Sequence, residues 1–291
     1  MKIKANPYLF GIMAIAAWST VATAFKISFR YLSVVEVLCY SIIFSFSTIL
    51  ISAFILGKFK AIKIQSKQQW INSAGLGLLN PVIYYFVLFS AYDSIPAQEA
   101  MIINYTWPIF FSITSAIIGK IKISKSQIIS LFISFLGLVV IATKGNIYTF
   151  SLTNALGDFL ALLSALLWTS FWLINLKDTR DPVVKLFSIF LFGAIYSIII
   201  LILSSSALRI NINGLIASAY IGIFEMGLTF ILWLTAISLS DRPHKISQLV
   251  YLTPFLSLMV IGIALKEEIQ ISSIIGLILI ILGISIQQKS K

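Results

Sequence analysis

The chain has 291 residues, 59% of them hydrophobic and 11% charged, with a formal charge of +11 and a mean hydropathy of +1.01. A soluble domain carries about 25% charged residues to keep its surface wet; this composition excludes one and marks an integral membrane protein. The excess Lys and Arg fall in short clusters between apolar runs, a pattern of membrane topology and not of a phosphate-binding groove, so no nucleic-acid partner is expected.

A spanning helix needs about 20 mostly apolar residues. Runs of this kind lie at 7–29, 34–56, 70–91, 96–119, 127–143, 155–174, 183–203, 213–239, 244–265 and 270–286. They predict an all-α integral membrane fold with ten transmembrane helices, the fifth and tenth being short. The first run follows Lys2 and Lys4 and contains Trp18 in "AIAAWST"; it could imitate a cleavable signal, but an internal repeat needs it as a helix. The second holds Cys39, the only cysteine, which excludes an internal disulfide and leaves a metal site unexpected.

The third run opens on Trp70, which reads as an interfacial anchor, and carries Asn80-Pro81 with Tyr84 one turn further on. Asp93 and Glu99 flank the next junction and are expected near the outer surface. The fourth run reads "INYTWPIFF". Pro108 has no N–H, so the carbonyl of Asn104 loses its helical donor. An unpaired carbonyl is costly in hydrocarbon and should face protein or a watery cavity. Asn104, Tyr105 and Trp107 are therefore candidate substrate contacts at a kink, with a packing kink as the alternative.

Trp168 lies deep in the sixth run. The eighth carries Glu225 in "GIFEMGLTF", on one stripe with Ser218, Gly222 and Thr229. Acidic residues inside spans are rare and usually functional. This one suits a substrate ammonium group or a proton, unless a neighbouring hydroxyl or amide simply satisfies it. In the ninth run Tyr251 precedes Pro254, which frees the carbonyl of Val250. His244, beside Arg242 and Lys245, reads as part of a solvated loop. Trp18, Trp107 and Trp168 sit deep enough to wall a flat or cationic ligand.

The two halves echo each other. Tyr105 and Pro108 stand 146 residues before Tyr251 and Pro254, and the same offset relates Gly137 to Gly283. "AIAAWST" resembles "SALLWTS" at an offset of 150. The expected organisation is two five-helix repeats, 1–146 and 147–291. A five-helix unit ends on the opposite side of the membrane from its start, so the second repeat is inverted. Inverted repeats typify secondary transporters, with the substrate site near the midplane and Pro81, Pro108 and Pro254 as helix kinks. With the N-terminus inside, inner segments carry 16 basic residues and outer ones 5, the full 21, so both termini are expected to be cytoplasmic.

Catalytic signatures are absent. One histidine cannot supply a zinc-protease motif, and no Gly-rich phosphate loop is present. Neither an enzyme nor a cofactor is expected.

These features together resemble the drug/metabolite transporter superfamily, EamA type, over essentially the whole chain. "WST" at 18–20, "E..MIINYTWP" at 99–108 and "YLTPFLS" at 251–257 resemble its bacterial aromatic amino acid exporter branch. The resemblance implies ten helices around a central cavity lined by Trp18, Asn104, Tyr105, Trp107, Trp168 and Tyr251, working without ATP. One departure is the junction "GKIKIS", where many members carry an acidic residue. The expected protein exports amino acids, aromatic ones favoured, or similar metabolites from the cytoplasmic (inner) membrane, as a monomer or homodimer. Uptake of a nucleoside-like compound and a non-transporting scaffold are the other readings. Asn80, Tyr84 and Glu225 complete the candidate substrate-binding residues.

Overall fold

The structure is a computed structural model that describes residues 6–118, 125–142, 145–146, 154–175, 177–204, 210–240, 246 and 249–289. Among these, every regular element is helical. In chain order they are α1 (Pro7–Ser28), α2 (Val34–Ile55), the short α3 (Phe59–Lys63), α4 (Lys67–Ser94), α5 (Ala97–Asn104), α6 (Trp107–Ile118) and α7 (Lys125–Ala142). Then follow α8 (Ala155–Asn175), α9 (Pro182–Leu203), α10 (Ile212–Leu239), a 3-10 turn (Leu249–Leu252), α11 (Thr253–Leu265) and α12 (Ile271–Lys289).

Among the described residues six helices are long and apolar enough to cross a membrane: α1, α2, α4, α8, α9 and α10. Shorter apolar stretches occupy Ile128–Ile141, Thr253–Leu265 and Ile271–Gly283. Local sequence sets the helix starts. Asn6 caps α1 through Tyr8, Asp181 caps α9, and Asn211 caps α10. Ser33 with Glu36, and Ser66 with Gln69, form reciprocal capping boxes at α2 and α4.

The chain divides into two compact units, each assembled from both halves of the sequence. The first comprises Met1–Phe86 and Asp178–Val260. Within it α2 runs antiparallel to α9, since contacts advance along one helix as they retreat along the other. The Cys39 thiol donates to the Ser197 carbonyl at 3.1 Å, and Phe46 meets Phe187 with ring centres 5.5 Å apart. Close helix approach needs small residues, because packing rather than water expulsion drives association in lipid. A methyl group on Gly222 would stand 2.4 Å from the Ser41 carbonyl oxygen, so only glycine lets α10 lie on the α2 backbone. A methyl on Gly77 would meet the Ile189 carbonyl oxygen of α9 at 2.5 Å.

A polar network ties two connections of this unit together. Lys58 pairs with Asp181 at 2.8 Å. Arg180 binds Asp178 and the Ser73 hydroxyl, and also reaches the Gln65 carbonyl, which accepts from Ser188 as well. Burial pushes both aspartates up, but the Arg180 side-chain and backbone hydrogen bonds hold the Asp178 carboxyl below the usual carboxylate range. The Lys58 hydrogen bond, the Val183 amide and the Lys58 charge do the same for Asp181.

The second unit comprises Val87–Lys177 and Ile261–Lys291. Its tightest contact joins α7 and α12. The Ser130 hydroxyl donates to the Gly283 carbonyl at 2.5 Å, the Ser134 hydroxyl to that of Ile280 at 3.5 Å, and a methyl on Gly137 would meet the Gly276 carbonyl at 2.6 Å. Positions rise along α7 as they fall along α12, so the helices are antiparallel. Ser130 and Gly276 lie 146 residues apart, as do Gly137 and Gly283. Each of the two outer contacts is thus the other's counterpart under the repeat offset. The α5–α6 pair instead runs parallel to α8, with Asn104 at Ser164 and Trp107 at Thr169.

Candidate functional site

Polar side chains inside apolar helices gather where the helices depart from α geometry. In the first unit α10 contains a π turn over Gly222–Gly227. A π turn inserts one residue and breaks the regular bonding ladder. Thr229, fully buried, turns its hydroxyl back onto the Phe224 carbonyl within that turn. Glu225 occupies the same turn at 6% exposure. Its Oε1 accepts from the Tyr85 hydroxyl of α4 at 3.0 Å, and its Oε2 has no partner among the described residues. Tyr85 is wholly buried and meets the Tyr84 ring edge-on, with centres 4.6 Å apart.

α4 has a π turn of its own over Leu78–Ile83, 144 residues before that of α10. Asn80 within it is extended (φ −147°, ψ 117°) and followed by Pro81. The Asn80 side chain is wholly buried, and neither its oxygen nor its nitrogen has a partner among the described residues. Buried amides of this kind are uncommon and call for an explanation. Elsewhere in this unit Trp18 packs on Trp233, with ring centres 5.3 Å apart, and Thr20 shares a hydrogen bond with the Tyr220 hydroxyl.

In the second unit the "NYTWP" segment is a break between two helices. α5 ends at Asn104, Tyr105 and Thr106 form a turn, and α6 starts at Trp107. Pro108 therefore sits in the first turn of α6, where an N–H has no intrahelical acceptor in any case. The Asn104 amide donates to the Ser164 hydroxyl at 2.8 Å, and the Trp107 carbonyl accepts from Thr169 at 3.1 Å. Trp168, on the same stretch of α8, meets Trp172 with ring centres 5.6 Å apart, and Trp107 meets Phe111 at 6.3 Å. Tyr105 is half-buried. Pro254 has a matching place, directly after the 3-10 turn at the start of α11.

The structure thus sorts the predicted residues into two sets. Trp18, Asn80, Tyr84, Glu225 and Tyr251 belong to the first unit; Asn104, Tyr105, Trp107 and Trp168 belong to the second. Tyr251 lies in the 3-10 turn, and its side chain is outside those described. His244 with Arg242 and Lys245, and the junction at 119–124, also lie outside the described residues. Asp93 is exposed, whereas Glu99 is buried in the first turn of α5. Sequence reasoning missed Tyr85 and Ser164. The only signal for either was a hydroxyl within an apolar run, which does not name a partner 140 or 60 residues away. Among the described residues no three His, Cys, Asp or Glu side chains gather as metal ligands would.

An all-helical, multi-pass membrane protein with interrupted helices and buried polar groups inside its spans is the class that fold and site define. The EamA-like transporter family matches this sequence at residues 6–143 and again at 155–287, and the chain belongs to that family, within the drug/metabolite transporter superfamily. It is similar to an uncharacterized transporter of Archaeoglobus fulgidus, 26% identical over 285 residues, 96% of this chain and 97% of that one. It is also similar to the uncharacterized transporter YvbV of Bacillus subtilis, 25% identical over 235 residues, 79% of this chain and 75% of that one. A solved crystal structure, 21% identical, shares the fold with a TM-score of 0.68 over 98% of both chains. The relatives' names specify transport and no substrate.

Proposed function

We propose that this membrane transporter is a secondary-active exporter of amino acids, aromatic ones favoured, or of similar small metabolites. It works by alternating access in the cytoplasmic membrane, with both termini cytoplasmic, and carries out no chemistry on its substrate. The observation that carries this reading is the matched interruption of corresponding helices in the two halves. A π turn falls in α4 and in α10, a break precedes Pro108, and a 3-10 turn precedes Pro254. Interrupted helices put backbone and polar side chains where a solute can use them, as in transporters built from inverted repeats.

The ten-span, two-repeat organisation has two supports. The family matches the chain twice, once per half. The antiparallel contact of α7 and α12, in register with the 146-residue offset, is the arrangement that two oppositely inserted copies of one helix would make. The preference for aromatic solutes rests on the depth of Trp18, Trp107 and Trp168, whose faces suit stacking and cation–π contacts. Asn104 and Tyr105 supply polar groups next to Trp107 in the sequence, and Tyr251 is the tyrosine 146 residues after Tyr105.

The test is counterflow in proteoliposomes loaded in turn with phenylalanine, tryptophan, alanine and uridine. Uptake of labelled tryptophan against internal phenylalanine, exceeding that with alanine, is the expected result. Preference for uridine moves the protein to the nucleoside-like reading. No counterflow of any solute by a folded, inserted protein overturns transport of these classes.

A further inference from the structure

Glu225 stands in a membrane span with no protein cation paired to it among the described residues. Its one partner among the described residues is a neutral hydroxyl, that of Tyr85, and its second oxygen is buried and unpartnered. The surrounding helices carry charge only towards their ends: Lys26 on α1, Glu36 on α2, Lys67 and Asp93 on α4, and Lys185 on α9. Glu36 is committed to Ser33 at the α2 start, and Lys185 donates to the Asp178 carbonyl. On α2, Cys39 is committed to the Ser197 carbonyl, and Tyr40 lies near Glu36 and Cys39. Against the glycines of the turn α2 brings the backbone of Ser41 and Ser45, the Phe44 side chain and the Thr48 methyl, and the Ser41 and Ser45 hydroxyls are buried without a partner among the described residues. The titratable side chain in contact with the carboxyl is Tyr85, with Tyr84 beside it.

An ionised carboxyl buried without a counter-charge is heavily penalised, so in this arrangement the group is neutral or holds a cation from outside the protein. A single hydroxyl donor and one free oxygen fit a proton. A metal ion such as Na⁺ needs several oxygens converging on it, whereas among the described residues a single hydroxyl, that of Tyr85, is hydrogen-bonded to the Glu225 carboxyl. Building on the transporter reading above, we infer that Glu225 carries the coupling proton and that Tyr85 is the positioning residue that holds the carboxyl for proton exchange.

The cycle balances simply. The protonated carboxyl gives its proton to water on one side of the membrane, and Tyr85 donates to the carboxylate that remains. A proton from water on the other side restores the acid while one solute molecule crosses in the opposite sense. The π turn sets this arrangement. With one residue removed to restore an α turn, Glu225 would rotate about 100° around the helix and leave Tyr85.

Two measurements test the proposal. The first needs no substrate: infrared titration of the full-length protein in lipid bilayers should show a protonated carboxyl band that Glu225→Gln removes and Tyr85→Phe displaces. The absence of any such band attributable to Glu225 at any pH overturns the proposal even if the protein transports. The second uses labelled tryptophan, or the best solute from counterflow, with an acidic vesicle interior. Wild type should accumulate solute on the order of tenfold per pH unit for one-for-one exchange. Glu225→Gln should lose pH-driven accumulation, and Tyr85→Phe should accumulate with a displaced pH midpoint. Unchanged accumulation in Glu225→Gln, or accumulation driven by a Na⁺ gradient and not by pH, refutes it. If Glu225→Gln fails to insert, the wild-type band and Tyr85→Phe still decide.

Discussion

Asn104 and Trp107 serve the second unit in different ways, and the difference fixes what their loss should do. Asn104 donates to Ser164, whose own hydroxyl also donates to the Ala161 carbonyl, so Ser164 keeps a partner when Asn104 is removed. Asn104→Leu should therefore cost only about 0.5–1.5 kcal/mol in unfolding measurements while shifting solute preference toward less polar compounds. Trp107 touches Thr169 through its backbone carbonyl, a contact that survives truncation. Trp107→Ala should leave expression intact and weaken apparent solute affinity roughly fivefold, as expected for losing about 1 kcal/mol of ring contact. Unaltered affinity in proteoliposomes would make that ring a packing element. Gly222 is a different case, because its neighbour is backbone and cannot yield. Gly222→Ala should destabilise the protein by about 1–3 kcal/mol, read as a lowered unfolding temperature in detergent.

At the scale of elements, the interruptions are the informative feature. Pro108 lies in the first turn of a helix that follows a break, and Pro254 in the first turn of a helix that follows a 3-10 turn. Replacing either by alanine supplies a backbone donor and lets the preceding segment continue into the next as one helix. Pro108→Ala and Pro254→Ala should both slow counterflow without loss of inserted protein, and a normal rate in both would show the breaks to be fixed by packing alone. The loop network makes a pH prediction with a definite sign. Asp178 and Asp181 have folded-state values below the ordinary one, so their stabilisation is complete above about pH 4 and is lost as pH falls through the depressed values. Because Lys58 and Asp181 are each a third exposed, that pair contributes little; Arg180 and Asp178, more buried, dominate. Asp178→Asn should lower the unfolding temperature at neutral pH and reduce the further loss on acidification.

For the whole molecule, the decisive prediction is topological. Single cysteines placed at 57–69 in a Cys39→Ser background should react with an impermeant maleimide only from the cytoplasm, and those at 144–154 only from outside. The reverse pattern would overturn both the charge asymmetry and the inverted-repeat reading, since each assigns those two connections to opposite faces. Each compact unit draws helices from both halves of the sequence, so contacts such as Tyr85 with Glu225 and Ser130 with Gly283 cross between the halves while remaining inside one unit.

The apolar runs by themselves determined that this is a multi-pass membrane protein, because the length and hydropathy of a span are local properties. The family follows from local patterns too: "NYTWP", "YLTP" and the repeated glycines can be read one segment at a time. Proline within those runs marked the interruptions at Asn80-Pro81 and before Pro108, since a missing N–H acts on its own turn, whereas the π turn at Glu225 has no proline to mark it. Only the tertiary structure decided the form of each interruption, a π turn at Asn80 and Glu225 and a full break before Trp107. That choice depends on which neighbouring helix satisfies the displaced polar groups. Pairing Glu225 with Tyr85, and Asn104 with Ser164, was likewise a matter of packing. A hydrogen bond between residues 140 positions apart exists only once two helices lie side by side, and no local pattern encodes which hydroxyl will face which carboxyl.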